Sequence, residues 1–285
     1  MNGPNAILLL SCPDQKGLVA NISSFIYQQN GNIVHAAQHT SMTKKIFFMR
    51  IEWELEGFNI PRDEIGSVFK HTARKFGMTW SLHFTDAVPR MALFASRHPH
   101  CLSDLILRHR MGEFRAEIPL VIGNHEGLRS LVEPFGLRFE YFPVTPETKD
   151  RQEEKELALL RKEKIDFIVL ARYMQILSNR FVGHYPNRII NIHHSFLPAF
   201  AGPKPYQQAY DRGVKIIGAT SHYVTEVLDE GPIIAQDVIK ISHRDSVEDI
   251  QLKSRDLERI VLARAVRLHL ENRILPYGSK TVVFE

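Results

Sequence analysis

The chain is predicted to be an α/β protein of two units, a ferredoxin-like βαββαβ module followed by an open, mainly parallel α/β sheet. Three observations predict it. Its 285 residues suit two domains of about 150 residues each. The first third reads strand, helix, strand, strand, helix, strand. The remainder alternates apolar strands with helices, the pattern of a parallel sheet covered by helices.

Residues 5–11 read as the first strand. Residues 17–29 read as a helix with Leu18, Ile22, Phe25 and Ile26 on one face. Asn30-Gly31-Asn32 stops that helix, and Gly31 is suited to a left-handed cap. Residues 33–42 and 46–55 are strands joined at Thr43-Lys44-Lys45, 62–76 a helix, and 78–85 a closing strand. Such a unit sets its helices on one sheet face and leaves the other free for a copy or a second domain. Ala87-Val88-Pro89-Arg90 is a short break, dividing the chain into 1–86 and 87–285. In the second unit, strands are expected at 91–96, 118–123, 139–142, 165–171, 188–193 and 215–222. Helices are expected at 101–110, 127–135, 150–162 and 179–184. A long helix over 246–271 is capped by Ser246, with Asp249 completing a capping-box-like pair.

Hydrophobic residues make up 44% and charged residues 24%, which excludes bulk disorder. The 36 Lys and Arg against 32 Asp and Glu are mixed along the chain. No dense basic block of the kind that binds nucleic acid or acidic lipid is present, so neither partner is expected. Cys12 and Cys101 cannot form a disulfide framework or a four-thiolate zinc site and fit a reducing cytosol. The apolar run 6–10 has no basic residues before it and reads as a buried strand, not a signal peptide. The longest apolar runs fall short of the roughly 20 residues of a spanning helix. A cytoplasmic protein is expected. His98, His100, His194 and His222 have no recognised two-ligand spacing, so no metal is expected.

The chemistry concentrates in two stretches. In residues 188–198 a hydrophobic strand ends in polar groups, and Asn191 and His193, two apart, point to the same side. Open α/β sheets place their sites at the carboxyl ends of strands. Alone, the stretch reads equally as a polar loop with a turn-capping Asn. In the second stretch, Leu228-Asp229-Glu230-Gly231-Pro232 precedes an apolar strand, and alone it reads as an Asx turn.

Taken together they carry a resemblance. Asn191-x-His193-x-Ser195-x-Leu197-Pro198, followed 38 residues after Asn191 by Asp229-x-Gly231-Pro232, resembles the folate-dependent formyltransferase superfamily over roughly Arg90 to Arg273. Residues 169–177 resemble its pterin-binding segment. Where the superfamily's glycinamide ribonucleotide transformylases carry a Gly-rich phosphate loop, this chain reads Ser96-Arg97-His98-Pro99-His100-Cys101-Leu102, and it ends at Glu285 without the barrel of the methionyl-tRNA formyltransferases. The whole pattern, with residues 193–200 and 213–220, is similar to the formyltetrahydrofolate deformylase family. That family begins with an ACT domain, which Cys12-Pro13-Asp14-x-x-Gly17 and Gly31-Asn32-Ile33 resemble.

The resemblance implies a hydrolase that cuts 10-formyltetrahydrofolate to tetrahydrofolate and formate, supplying formate for purine biosynthesis. It implies Asn191 as oxyanion donor, His193 as proton carrier and Asp229 as its orienting partner. It further implies a pterin slot walled by Met174, Gln175, Ile176, Leu177 and Val182, with Gly231 beside it, although the apolar members read equally as core. Lys204 and Arg172 are candidates for the folate tail, with solvated surface as the alternative, and His222 is read as structural, with lining the cavity as the alternative. No tightly bound cofactor is implied. An ACT domain implies a small amino-acid effector, glycine or methionine, near Asp14, Gly17 and Asn32, where plain helix-start geometry is the alternative. It also suggests a homo-oligomer, with a tetramer as the guess. The alternatives are a formyltransferase acting on a small amine and a non-catalytic folate or amino-acid sensor.

Overall fold

The computed structural model describes residues 3–198 and 205–285. Its N-terminal part runs β1 (Asn5–Pro13), α1 (Leu18–Gln28), β2 (Ile33–Ser41), β3 (Ile46–Glu54), α2 (Ile65–Phe76) and β4 (Thr79–Phe84). The strands pair antiparallel in the order β2-β3-β1-β4. Alternation along each strand turns Ala6, Leu8 and Leu10 of β1 and Phe47, Met49, Ile51 and Trp53 of β3 toward Ile22, Ile26, Phe69 and Phe76 of the helices. Phe69 meets Phe25 and Trp80 edge-on at 5.3 and 5.2 Å.

The opposite sheet face carries buried Ile7, Leu9, Phe48 and Arg50. A buried guanidinium needs acceptors for its five N–H groups. Arg50 donates to Glu52 at 2.9 Å and to the carbonyls of Asn272 and Glu271 at 3.0 and 3.3 Å. Residues 271–275 and 282–285 therefore group with the unit that ends at Ala87, and the second unit comprises 88–270 and 276–281. The sequence alone places all of 87–285 in one unit, because nothing local in the last residues says which surface they will cover. The sheet face expected to be free is thus partly occupied by the chain's own end.

Helix α1 also ends differently from expectation. Asn30, with φ of 61°, takes the left-handed position. Gly31 is needed for space, since a Cβ there would lie 2.6 Å from the Ile26 side chain.

The second unit contains β5 (Arg90–Ala95), α3 (His100–Arg110), β6 (Glu117–Gly123), α4 (Arg129–Val132), β7 (Phe139–Tyr141), α5 (Lys149–Lys162), β8 (Phe167–Leu170), α6 (Asn179–His184), β9 (Ile189–His193), α7 (Pro205–Asp211), β10 (Ile216–Tyr223), β11 (Ile233–Lys240) and α8 (Val247–Leu270). A ribbon, β12 (Ile274–Tyr277) and β13 (Lys280–Val283), closes the chain. The sheet order is β11-β10-β9-β8-β5-β6-β7. From β9 to β7 the strands are parallel, whereas β10 and β11 run antiparallel at one edge. Beyond Arg90, the middle strands β5 and β8 are apolar because helices cover both faces. The helix expected at 127–135 is broken into 3₁₀, α and 3₁₀ turns, with Pro134 in the last, where its missing N–H interrupts helical bonding. The Ser246–Asp249 box forms as read, with Asp249 N donating to Ser246 Oγ at 3.1 Å and Ser246 N to Asp249 Oδ2 at 2.9 Å. Among the described residues no helix is long and apolar enough to cross a membrane.

Replacing Arg50 with Met should cost about 1–3 kcal/mol, the scale of a lost buried hydrogen-bonding group. Denaturant titration checks the stability. Amide exchange should quicken at residues 271–275 and stay unchanged at 88–270.

Candidate active site

Parallel pairing of Leu170 with Asn191 sets the carboxyl ends of β8 and β9 side by side. This is the sheet edge where open α/β folds hold ligands. Asn191 and His193 occupy it on alternate positions of β9. Antiparallel β10 then places Thr220 opposite His193 and His222 opposite Asn191. A register shift between Ser221 and His222 acts as a β-bulge and re-aims the side chain, a device common beside active sites.

Asp229 joins them from the turn before β11. His193 Nδ1 lies 3.3 Å from Asp229 Oδ2, and His222 Nε2 lies 3.7 Å from Oδ1. Its hydrogen bond with His193 is the main reason the Asp229 carboxyl sits well below the ordinary carboxylate range. Asp229 has φ of 57°, a left-handed conformation that Asp tolerates better than most residues. Because a carboxylate only accepts, His193 directs its Nδ1–H there, and Nε2 has no partner among the described residues.

His222 is the residue that sequence reasoning missed. It is 2% exposed, and its Nδ1 lies 2.9 Å from the Tyr223 carbonyl. A carbonyl cannot donate, so Nδ1 carries the proton. With the proton on Nδ1, Nε2 is the acceptor facing Asn191 Nδ2 at 3.3 Å. One amide N–H of Asn191 is thereby fixed, and the other remains for a ligand. The signal lay in the sequence: His222 sits two residues from Thr220 at a strand end, yet its cross-strand partner is invisible without register.

The turn after His193 is pinned from β10 and β11. Leu197 N donates to Thr220 Oγ1 at 3.0 Å, Thr220 Oγ1 donates to the Ser195 carbonyl at 2.9 Å, and Gln236 Nε2 donates to the Leu197 carbonyl at 3.0 Å. His194 packs 5.1 Å from His193 and 5.5 Å from Tyr206 between ring centres. Burial foremost, then the Arg172 charge, pushes its pKa down to about 4.

With this geometry in place, the comparisons are decisive. Residues 89–266 match the formyl transferase family. A protein of Synechocystis sp. named formyltetrahydrofolate deformylase is 56% identical over 284 residues, covering 100% of both chains. The chain belongs to the formyltetrahydrofolate deformylase family. The deformylase of Escherichia coli is 43% identical, with 97% of each chain covered. The crystal structure of the Pseudomonas syringae deformylase superposes with a TM-score of 0.97 at 44% identity, covering 100% of this chain and 96% of that one. The fold extends to a glycinamide ribonucleotide transformylase of Symbiobacterium toebii, with a TM-score of 0.65 at 28% identity over 72% of this chain and 98% of that one.

Within this deformylase-family fold, Asn191, His193 and Asp229 come together as the motifs suggested. The proposed slot residues divide. Met174 and Ile176 are 56% and 60% exposed, and Gln175 lies between them, partly exposed. Leu177 and Val182 are buried with Phe181 and Tyr185, so core packing accounts for them. Arg172 is not an exposed tail contact. It is buried, with Nε 3.4 Å from the fully buried Glu258. Lys204 lies outside the described residues. His100, Cys101 and Glu258 gather their ligand-type atoms within 4.8 Å of one another. However, Glu258 already accepts from Tyr206 and Ser254 and faces His100, each at 2.9 Å. Near Arg172 the group reads as a polar brace and not as a cation site. In the first unit, Gly17 has φ of 87° at the start of α1, Asn32 donates to Glu54 at 2.8 Å, and Asp14 is exposed.

Gly231 acts through its lack of a side chain. A Cβ there would fall 1.7 Å from the Tyr223 carbonyl oxygen, the oxygen that also holds His222. Gly231→Ala should therefore displace the turn that carries Asp229, destabilise the protein by about 1–3 kcal/mol and depress turnover. Thermal unfolding and a turnover assay check this, and wild-type values in both would refute the close-packing account.

Proposed function

We propose that this chain hydrolyses 10-formyltetrahydrofolate to tetrahydrofolate and formate, with Asn191, His193 and Asp229 as its catalytic groups. The observation that carries the reading is the His193 Nδ1–Asp229 Oδ2 pairing at 3.3 Å beside Asn191. Water attacks the formyl carbon, negative charge builds on the formyl oxygen, and the C–N10 bond breaks as N10 gains a proton. His193, with Nδ1–H turned to Asp229, offers Nε2 to take the water proton and return it to N10. Asp229 stabilises the imidazolium in between. The free amide N–H of Asn191 donates to the developing oxyanion, a contact worth about 3 kcal/mol in comparable sites. Water oxygen ends in formate, one of its protons ends on N10 and the other is released to solvent, so the reaction balances with substrate and water.

Met174, Gln175 and Ile176 form the accessible edge for the pterin. Val227 and Leu228, 56% and 59% exposed before Asp229, add apolar surface suited to a flat ring. Two buried free cysteines, Cys12 and Cys101, support a cytoplasmic setting, and formate release suits a role in one-carbon supply to purine synthesis. For the first unit we propose a small amino-acid effector, glycine or methionine, near Asp14, Gly17 and Asn32. No side chain caps the start of α1, which leaves its amides to a carboxylate. We further propose a homo-oligomer, a tetramer, a state that size-exclusion chromatography with light scattering checks.

Purified protein should release formate from 10-formyltetrahydrofolate with no amine present. Strict dependence on an added amine would replace hydrolysis by transfer. Asn191→Ala, His193→Ala and Asp229→Ala should each cut kcat by at least roughly a hundredfold while keeping the circular dichroism of the parent. Titration calorimetry of the intact chain with glycine and with methionine tests the effector. Silence from both, with unchanged turnover, removes it.

A further inference from the structure

The slot edge described above belongs to residues 171–178, which cross from β8 to α6 without regular structure. Its crest is exposed at Met174 and Ile176. Such a segment needs fixed anchors to present one shape. One lies at β5, where Met174 N donates to Ser96 Oγ at 2.9 Å and Ser96 N to the Arg172 carbonyl at 3.3 Å. The others lie on α5. Tyr173 Oη donates to Glu156 Oε1 at 3.3 Å. Ser178 N donates to Glu153 Oε1 at 2.9 Å, and Ser178 Oγ donates to Glu153 Oε2. Ser178 Oγ also accepts from Phe181 N at 3.2 Å and so caps α6.

Glu153 and Glu156 are 8% and 1% exposed, beside the core residues Leu157 and Leu160. Buried carboxyls are rare unless paired, and among the described residues neither makes an ion pair. Packing alone would favour leucine at both positions. All the hydrogen bonds that these two side chains make among the described residues run to the 171–178 segment. We infer that Glu153 and Glu156 are positioning residues that hold this segment in its folate-accepting shape, so that substrate affinity depends on them while the chemical step does not. The inference rests on the folate reading of the slot.

The pair also predicts how the latch responds to pH. The groups acting on Glu156 are Glu153 from its own helix and Tyr173 from the loop. Burial first, then Glu153, pushes Glu156 up to about 8. A carboxyl whose pKa is raised by folding stabilises the latched form in full below its ordinary value of 4.5, and that contribution is lost as pH rises through about 8.

The test uses the full chain. Glu156→Leu should raise KM for 10-formyltetrahydrofolate roughly tenfold, the effect of one lost buried hydrogen bond, with kcat within about twofold. Glu156→Gln keeps a neutral acceptor for Tyr173 and should restore KM near pH 7. Wild-type KM should climb as pH passes through about 8, while that of Glu156→Gln stays flat. Tyr173→Phe cuts the same bond from the loop side and serves if Glu156→Leu does not fold. Amide exchange at residues 172–178 of the unliganded protein should quicken in Glu156→Leu and Tyr173→Phe. Unchanged KM and unchanged exchange in the folded variants would overturn the inference. If the wild type releases no formate, the folate reading fails, and exchange at 172–178 still judges the latch.

Discussion

The constraint on which the site depends is a carboxylate shared by two imidazoles. Asp229 sits on a left-handed turn with φ of 57°, and both histidines approach it, His193 at 3.3 Å and His222 at 3.7 Å. Because the His193 hydrogen bond foremost holds the carboxyl well below its usual range, it remains an acceptor throughout the neutral range. An acceptor at that place determines which nitrogen of His193 bears the proton, and so which nitrogen faces a substrate. The same turn reaches the Tyr223 carbonyl only because residue 231 has no Cβ. That carbonyl receives the Nδ1–H of His222, which leaves His222 Nε2 to orient the Asn191 amide. One strained turn thus governs an amide, two ring tautomers and a carboxylate.

Sheet direction explains why these groups meet. In the parallel part of the sheet the carboxyl ends of the strands lie side by side, and loops leave from them. β10 runs back against β9, so residues within the two strands face one another: Thr220 opposite His193 and His222 opposite Asn191. Cross-strand neighbours on one face lie about 5 Å apart, close enough for direct side-chain bonding. The antiparallel edge therefore converts a strand-end crevice into a site whose supports come from rigid ladder positions. Thr220, fully buried, bonds the turn beyond His193 and limits where that imidazole can go.

What could be read from the residues follows the range of the interaction. The order of elements was legible because hydrophobic period is local, and the Ser246–Asp249 cap formed as its spacing indicated. Asn191, His193 and Asp229 were legible through spaced motifs matched to a family, not through composition. The contacts of His222 with Asn191 and the Tyr223 carbonyl were not legible, since they depend on strand register and on a bulge at Ser221/His222. Arg172 looked like a surface cation because its partner, Glu258, lies 86 residues away (258 − 172) on α8. Gly31 suggested a left-handed cap, yet Asn30 takes that conformation, and the glycine answers to a crowded Ile26 instead. The grouping of residues 271–275 with the first unit turns on where a buried Arg50 finds carbonyls, a tertiary fact without local signature.

Charge placement around His193 favours a single charged histidine during turnover. In the proposed hydrolysis one imidazole becomes imidazolium beside a developing oxyanion and Asp229. A second imidazolium 5.1 Å away at His194 would oppose that proton uptake, since like charges at such range disfavour one another. Burial and Arg172 keep His194 neutral, with its pKa down at about 4. Arg172 in turn lies against Glu258, whose own pKa is lowered to about 2 despite burial, by His100 and Arg172. Its positive charge is thus paired with a buried carboxylate even as it acts on His194. In the proposed mechanism Asp229, 3.3 Å from His193, favours the imidazolium while it exists, and the proton reaches N10 because the leaving amine becomes the stronger base as the C–N bond parts.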